Sequence, residues 1–139
     1  MTWIVWALLS AVFAAATALL AKVGVAGVDP NLATAIRTSV VVIFTWLIAI
    51  STSSVAGLGA IQSRSWTFLV MSGVATGLSW LCYFRALQLG PASKVAPVDK
   101  LSLVLVVLGA SAFLGERLSA TTGLGVALVL AGVLVLARG

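Results

Sequence analysis

The feature that most constrains this chain is a series of continuous apolar stretches of about 20 residues, separated by short polar and Gly/Pro-rich segments. A helix that crosses the hydrocarbon core of a bilayer needs about 20 such residues. Only 8% of the residues are charged and 62% are hydrophobic, whereas a soluble domain carries about 25% charged residues. Disordered chains are also excluded, because they combine low hydrophobicity with high charge. The sequence therefore predicts an integral membrane protein.

The continuity of the apolar stretches favours helices over barrel strands, because barrel strands alternate apolar and polar residues. Glycine, proline and capping residues separate the stretches, as expected at helix ends. The predicted fold class is all-α integral membrane, a bundle of five transmembrane helices in a single domain over residues 1–139. The five predicted helices cover about residues 3–23, 32–50, 66–89, 95–114 and 122–137.

The distribution of charge leaves the orientation in the membrane open. The formal net charge is +5, from eight basic and three acidic residues. Five spans put the two termini on opposite sides, and six basic residues lie toward the side of the C-terminus, which the positive-inside rule makes cytoplasmic. At least three of those six, Arg37, Arg85 and Lys100, lie inside predicted helices, so the loops themselves are nearly balanced. The six residues are Lys22, Arg37, Arg85, Lys94, Lys100 and Arg138.

Ionisable groups in or beside the predicted helices are candidates for function, because each costs about 2.5–3.5 kcal/mol to insert. In one interpretation Arg37, Arg85 and Lys100 bind an anionic or polar group of a substrate. Asp99 and Lys22 would then serve as coupling or ion-pairing residues. In the alternative, Asp99 pairs with an arginine while Lys22 and Lys100 extend to the lipid headgroups. The sequence leaves both interpretations open.

Aromatic residues of the third predicted helix form a second candidate site. Trp80 lies well inside that helix, whereas the other four tryptophans lie at helix ends and indicate an interfacial belt. Trp80, Tyr83 and Phe84 supply flat surfaces with two polar handles, which suits an amphipathic substrate. The same rings also suit packing between helices. One to two turns earlier, Gly73 and Gly77 permit close approach of another helix.

Small residues in the fifth predicted helix favour an oligomer contact, because such residues let helices approach closely in lipid. They are Gly125, Ala127, Ala131 and Gly132.

Several kinds of chemistry are excluded by what the sequence contains. It has no histidine and one cysteine, Cys82, which removes the usual general base and multi-cysteine metal sites. The three acidic residues belong to different helix ends, and no phosphate-binding glycine loop is present. We therefore expect no enzymatic activity, no cofactor, no metal site and no nucleic-acid partner.

Four segments of the carboxyl-terminal half form a recognisable set: 83–90 (YFRALQLG), 92–97 (ASKVAP), 113–118 (FLGERL) and 123–132 (GLGVALVLAG). Together they resemble the EamA domain of the drug/metabolite transporter superfamily. The resemblance implies that Glu116 helps to fix the loop before the last helix. Typical members have ten helices, made of two five-helix repeats of opposite orientation with a substrate cavity between them. One repeat implies pairing with a second, oppositely inserted copy or with another five-helix subunit.

The chain is also similar in size to the four-helix small multidrug resistance proteins of the same superfamily. Its first helix lacks the membrane-embedded glutamate of those proteins. Asp99 is the acidic residue near a span that could replace that glutamate.

The functional prediction is a secondary transporter that exports small polar or amphipathic metabolites. The expected location is a bacterial-type plasma (inner) membrane, where the chain spans the lipid bilayer several times. The expected partners are a small-molecule substrate and a second five-helix repeat, as an antiparallel homodimer. Two alternatives stay open: a non-transporting scaffold or partner subunit, and a subunit of a lipid-carrier flippase.

Overall fold

The computed structural model describes residues 2–138, whose regular secondary structure is entirely helical. This confirms the predicted all-α class. A short 3₁₀ helix, Ser54–Ala60, connects the second and third helices. The α-helices are α1 (Trp3–Gly24), α2 (Pro30–Ser51), α3 (Ser63–Leu89), α4 (Ala92–Asp99), α5 (Ser102–Phe113) and α6 (Ala120–Arg138).

Five segments are long and apolar enough to cross a membrane, which confirms the predicted number of spans. Helices α1, α2, α3 and α6 each form one of them, and α4 with α5 forms the fourth, Ala92–Phe113. The third span begins at Ser63 and the fourth at Ala92, each about one turn earlier than the sequence predicted. The fourth span is also broken between α4 and α5. The sequence analysis did not predict this break.

The connection between α1 and α2 shows how the sequence ends one span and begins the next. Gly27 adopts a φ of 74°, in the left-handed region that glycine enters without steric cost. The carboxylate of Asp29 then accepts hydrogen bonds from the backbone N–H groups of Asn31 (2.9 Å) and Leu32 (3.1 Å). Pro30 occupies the first helical position, where a backbone N–H would have no partner within the helix, and proline has no N–H. Through these contacts Asp29 caps the second span.

The residues group by their contacts into two compact units, one of residues 21–88 and one of residues 2–20 with 89–138. In the first unit the buried side chains are Val25, Thr34, Phe84 and Leu87. In the second unit α6 packs against α4 and α5, and Val133 is buried. The prediction of a single domain stays a prediction.

Most large apolar side chains on every span are exposed. A soluble protein rarely exposes contiguous apolar patches of this extent, because water opposes them. Lipid tails accept such a surface, and helices satisfy their own backbone hydrogen bonds within the hydrocarbon. The distribution of apolar side chains therefore agrees with a membrane-spanning chain.

The cap of α2 gives a test of the helix boundary. We expect Asp29→Ala to lower the free energy of unfolding by about 1 kcal/mol, because two N–H groups lose their acceptor. Asp29→Asn retains an acceptor oxygen and should change the stability by a few tenths of a kcal/mol. Reversible unfolding of both variants in mixed micelles measures the difference. Equal loss in the two variants would contradict the capping role.

Candidate functional site

The centre of the candidate site is an arginine stacked on two aromatic rings. The guanidinium carbon of Arg37, in the N-terminal half of α2, lies 4.2 Å from the centroid of the Trp80 ring. It lies 5.5 Å from the centroid of the Phe84 ring. Trp80 and Phe84 are four residues apart on α3 and therefore share one face. A cation over an aromatic face gains about 0.5–2 kcal/mol, with the larger values where water is excluded.

The environment of Arg37 favours the upper end of this range of cation–π energies. Phe84 is 3% exposed, and Arg37 and Trp80 are half-buried. Tyr83, also half-buried, lies three residues after Trp80 on α3 and therefore on the same side of the helix. We refer to Arg37, Trp80, Tyr83 and Phe84 as the Arg37 cluster. The structure thus brings together four of the six predicted substrate-binding residues.

A groove of about 650 Å³ lies between α2 and α3. Its polar side chains come from the turns of α2 on either side of Arg37, and α3 contributes small or apolar surface. The hydroxyls of Thr34, Thr38 and Ser39 donate to the carbonyls four residues earlier, at 2.7, 2.7 and 3.0 Å. A hydroxyl that donates in this way keeps lone pairs that can accept a hydrogen bond. The groove is lined by Asn31, Thr34, Ala35, Thr38, Ser39, Val42, Ile43, Gly77 and Leu81.

No neighbouring helix of the described chain approaches the glycines of α3 closely, so the contact that their spacing permits stays a prediction. A Cβ atom built on Gly73 or Gly77 would meet no atom within 4 Å, apart from the nearby backbone of α3 itself. Gly77 lines the groove instead, where the missing side chain contributes open space.

A second polar cluster joins the end of α1 and the following turn to the C-terminal end of α3. The side-chain amide of Gln88 donates to the carbonyls of Val28 and Val25, the latter at 3.3 Å. Lys22 donates to the carbonyl of Leu87, which is fully buried. A cation at this position also stabilises the negative end of the helix dipole. We refer to Lys22 and Gln88 with these three carbonyls as the α1–α3 clamp.

Arg85 belongs with this clamp and not with the aromatic rings. Its guanidinium Nη1 donates to Gln88 Oε1 at 3.2 Å, and its side chain is exposed. Gln88, which the sequence analysis did not single out, therefore links α3 to the connection between α1 and α2. The signal that could have revealed it is its place in the last turn of α3, directly after Leu87.

In the other unit, Asp99 pairs with its neighbour Lys100, with 3.6 Å between carboxylate Oδ2 and ammonium Nζ. The structure thus pairs this carboxylate with a lysine, whereas one of the sequence interpretations pairs it with an arginine. Both side chains are exposed, Lys100 by 53% and Asp99 by 39%.

The predicted oligomer face on α6 is open in the described part of the chain. A Cβ atom built on Gly125 or Gly132 would meet nothing within 4 Å beyond the local helix backbone. Ala127 and Ala131 are also exposed. The face is available for a contact that this chain does not make with itself.

The five apolar spans define a multi-span membrane protein. It has a polar site in its hydrophobic region, where an arginine of one span is held by aromatic rings of another and a groove lies alongside. Comparison with known proteins gives the family. The model of the EamA-like transporter family matches residues 1–138, and the chain belongs to that family.

Two groups of relatives stand at different distances. A Sinorhizobium sp. protein named "uncharacterized transporter in cobO 3′ region" is 52% identical over 136 residues, which are 98% of this chain and 96% of that protein. Proteins of Yersinia pestis and Yersinia pseudotuberculosis named "probable 4-amino-4-deoxy-L-arabinose-phosphoundecaprenol flippase subunit ArnE" are 36% identical over 69 residues. That match covers 50% of this chain and 60% of those proteins. No solved structure matches the chain.

The α1–α3 clamp can be tested by removing its glutamine. Gln88→Leu leaves the carbonyls of Val25 and Val28 without this donor, and we expect it to lower the free energy of unfolding by about 1–3 kcal/mol. Gln62→Leu is the matched control, because Gln62 is exposed between the 3₁₀ helix and α3. That control should stay within about 0.5 kcal/mol. Unfolding in mixed micelles compares the two, and equal effects would contradict the clamp.

Proposed function

We propose that this chain is a secondary transporter that exports small polar or amphipathic metabolites and works as a pair of five-helix repeats. The observation that carries the proposal is the stacking of Arg37 on Trp80 and Phe84 within candidate membrane spans. Membership of the EamA-like transporter family supports it.

The chemistry of a stacked arginine suggests the kind of cargo. Stacking covers the face of the guanidinium, whereas its five N–H donors point outward along the edge. An acceptor group of the cargo, such as a carboxylate, would bind this edge, and its apolar part would lie against the rings of Trp80 and Phe84. A molecule with both parts gains more from this cluster than a purely polar or purely apolar one.

The groove between α2 and α3 supports a cargo of modest size. Its volume of about 650 Å³ falls within the range of about 300–1,000 Å³ that is usual for small-molecule sites. Thr34 and Thr38, which flank Arg37 on α2, place hydroxyl oxygens along it. Such oxygens would accept hydrogen bonds from amino or hydroxyl groups of a metabolite.

Pairing of two repeats is supported by several independent features. The Sinorhizobium relative matches along 96% of its length, so that protein too is about one repeat long. The ArnE proteins are named as subunits. The small-residue face of α6 is open, and small residues favour close helix contacts in lipid. Two oppositely oriented repeats around a shared site are a common basis of alternating access.

A subunit of a lipid-carrier flippase is the second candidate, and the similarity to the ArnE proteins favours it. In that case the acceptor group would be the phosphate of a polyprenyl carrier and the apolar part its chain. Translocation of a fluorescent short-chain polyprenyl phosphate in proteoliposomes distinguishes this candidate from metabolite transport.

The substrate site predicts how variants affect flux. In proteoliposomes we expect exchange of at least one of three labelled probes: phenylalanine, glucuronate or a lipophilic cationic dye. Arg37→Gln should lower exchange about tenfold, because the acceptor group of the cargo loses a charge-assisted hydrogen bond worth about 1.5–3 kcal/mol. Trp80→Ala should have a similar effect, because it removes the nearer of the two rings.

Matched controls separate this site from general effects on the fold. Arg64 lies 5.8 Å from the Phe68 ring on the exposed first part of α3, so Arg64→Gln removes a comparable pair outside the site. Trp66→Ala is the control for Trp80. Both controls should retain exchange within about twofold, as exposed pairs contribute little. Equal loss of exchange in the site variants and the control variants would count against transport through this site. Absence of exchange of every probe, including the polyprenyl phosphate, would also count against transport. Either result would favour a non-transporting partner subunit.

An antiparallel pair of identical copies requires that the chain insert in both orientations. We expect single cysteines at residues 2 and 138, placed in a Cys82→Ser background, each to be labelled by a membrane-impermeant maleimide in about half of the molecules. The nearly balanced loop charges are the physical reason, because the positive-inside bias is weak. One fixed orientation in every molecule would exclude the antiparallel homodimer and require a different partner subunit.

A further inference from the structure

The fourth span contains a charged pair at a break in its helix. Helix α4 ends at Asp99 and α5 begins at Ser102, although Ala92–Phe113 is apolar enough to cross the membrane as one segment. Asp99 is the eighth residue of this span, so it lies about 10 Å along the helix at 1.5 Å per residue. This depth is about a third of a 30 Å hydrocarbon core.

The backbone changes its hydrogen-bond pattern at the break. Pro97, two residues before the end of α4, has no N–H to donate to the carbonyl of Ser93 in the preceding turn, so α4 already lacks one helical hydrogen bond. The N–H groups of Lys100 and Leu101 donate to the carbonyls three residues earlier, those of Pro97 and Val98, each at 3.0 Å. This is the hydrogen-bond pattern of a 3₁₀ helix. A change from α to 3₁₀ bonding inside a helix often marks a hinge or functional position.

Asp99 is the only acidic residue within the five candidate spans of the described chain. Asp29 precedes α2 as its cap, and Glu116 follows α5 in the connection to α6. The other charged groups of this unit are few: Lys94 on α4, Arg117 beside Glu116 and Arg138 at the end of α6, which packs against α4. Helix α5 and residues 2–20 of α1 carry no titratable side chain.

The pair itself is weakly held and accessible. At 3.6 Å its two charged atoms are beyond hydrogen-bond distance. Another anion in place of the carboxylate keeps the ammonium paired, so the exchange leaves no unpaired charge within the span. A charged pair within a span faces a cavity or another subunit rather than lipid. The lysine can therefore change partners, provided that it always has one.

We propose that Asp99 is the proton-binding group of this transporter, and that its protonation releases Lys100 to bind an anionic group of the cargo. The carboxylate of Asp99 and the anion compete for one ammonium group. Protonation neutralises the carboxylate and removes that competitor. The proton and the anion therefore bind with positive linkage, which by thermodynamic reciprocity raises the affinity for each in the presence of the other. This inference rests on the proposed transport function.

A proton suits this site better than a metal cation. Na⁺ or a divalent ion needs several oxygen ligands, and among residues 2–138 no group of three or more acidic, His or Cys side chains comes together. The neighbouring ammonium of Lys100 also repels a cation. A proton needs one carboxylate oxygen. Cotransport with a proton carries an anion outward whenever the anion is in sufficient excess inside the cell, which is compatible with export.

The test uses full-length chain in proteoliposomes with three labelled anions, glucuronate, lactate and inorganic phosphate, and with phenylalanine as a zwitterionic probe. Counterflow at equal pH measures exchange, and uptake driven by acid outside measures coupling. The wild type should show both for at least one anion. Asp99→Asn should retain counterflow within about threefold and lose at least nine-tenths of acid-driven uptake. Asp99→Glu, which restores a titratable group, should recover coupling.

Lys100→Gln tests the second half of the proposal. It should raise the half-saturation concentration for the anion about tenfold or more, since a charge-assisted contact is lost. Phenylalanine exchange, where the wild type shows it, should change less. Asp29→Asn is the matched control and should keep acid-driven uptake, because its carboxylate lies outside the spans.

Each other outcome has a distinct meaning. Acid-driven uptake that survives in Asp99→Asn overturns the role of Asp99 while leaving transport intact. Exchange of phenylalanine with no exchange of any anion overturns the binding of anions by Lys100. Loss of counterflow in Asp99→Asn overturns a purely coupling role. Failure of the wild type to exchange any probe overturns the proposed function itself, and the inference with it.

Discussion

The cost of placing a charge in an apolar span governs the structure of this protein. Each such charge costs about 2.5–3.5 kcal/mol on insertion scales unless it finds a partner. The chain meets this cost in different ways. Arg37 stacks on aromatic rings, Lys22 donates to a helix-end carbonyl and Lys100 pairs with Asp99. These contacts are specific, because lipid supplies no solvent that could replace them.

The same constraint explains why few residues are buried. In lipid, apolar side chains gain little by turning inward, since the hydrocarbon outside is as apolar as a protein core. Buried side chains therefore gather where polar contacts draw segments together. Val25 and Leu87 are almost completely buried, and their carbonyls accept from Gln88 and Lys22. In this unit the polar contacts determine where close packing occurs.

Much of the fold follows from the sequence, and the missing parts have physical reasons. Span number and the Asp29 cap depend on local composition, which the sequence contains directly. The partner of Arg37 depends on how two helices pack, which no local pattern specifies. The fourth span was expected to begin near residue 95, and no break was predicted in it. Pro97 then lies in the first turn, where proline is tolerated. With the helix starting at Ala92, the same proline lies inside it.

Among the candidate site residues, the informative signal was the combination of residue type with position inside a span. Trp80 differed from the other tryptophans by its depth, and Arg37 by lying within a span, and the structure joins these two. Gln88 carried no such signal, because one amide near a helix end fits many roles. Its hydrogen bonds to the carbonyls of Val25 and Val28 emerge only when the turn after α1 is placed beside α3. Uncharged polar residues at span ends are therefore the class that sequence reasoning underestimates.

The two charged centres belong to different units of the chain, and the proposed mechanism does not require them to touch. Coupling between a proton and a cargo is a free-energy relation between two binding events, and it holds whenever both favour the same conformation. The Arg37 cluster would recognise the cargo through stacked rings and guanidinium edges. The Asp99–Lys100 pair would make that recognition depend on a proton. A break in the span that carries this pair would give it more freedom to change partners than an uninterrupted helix.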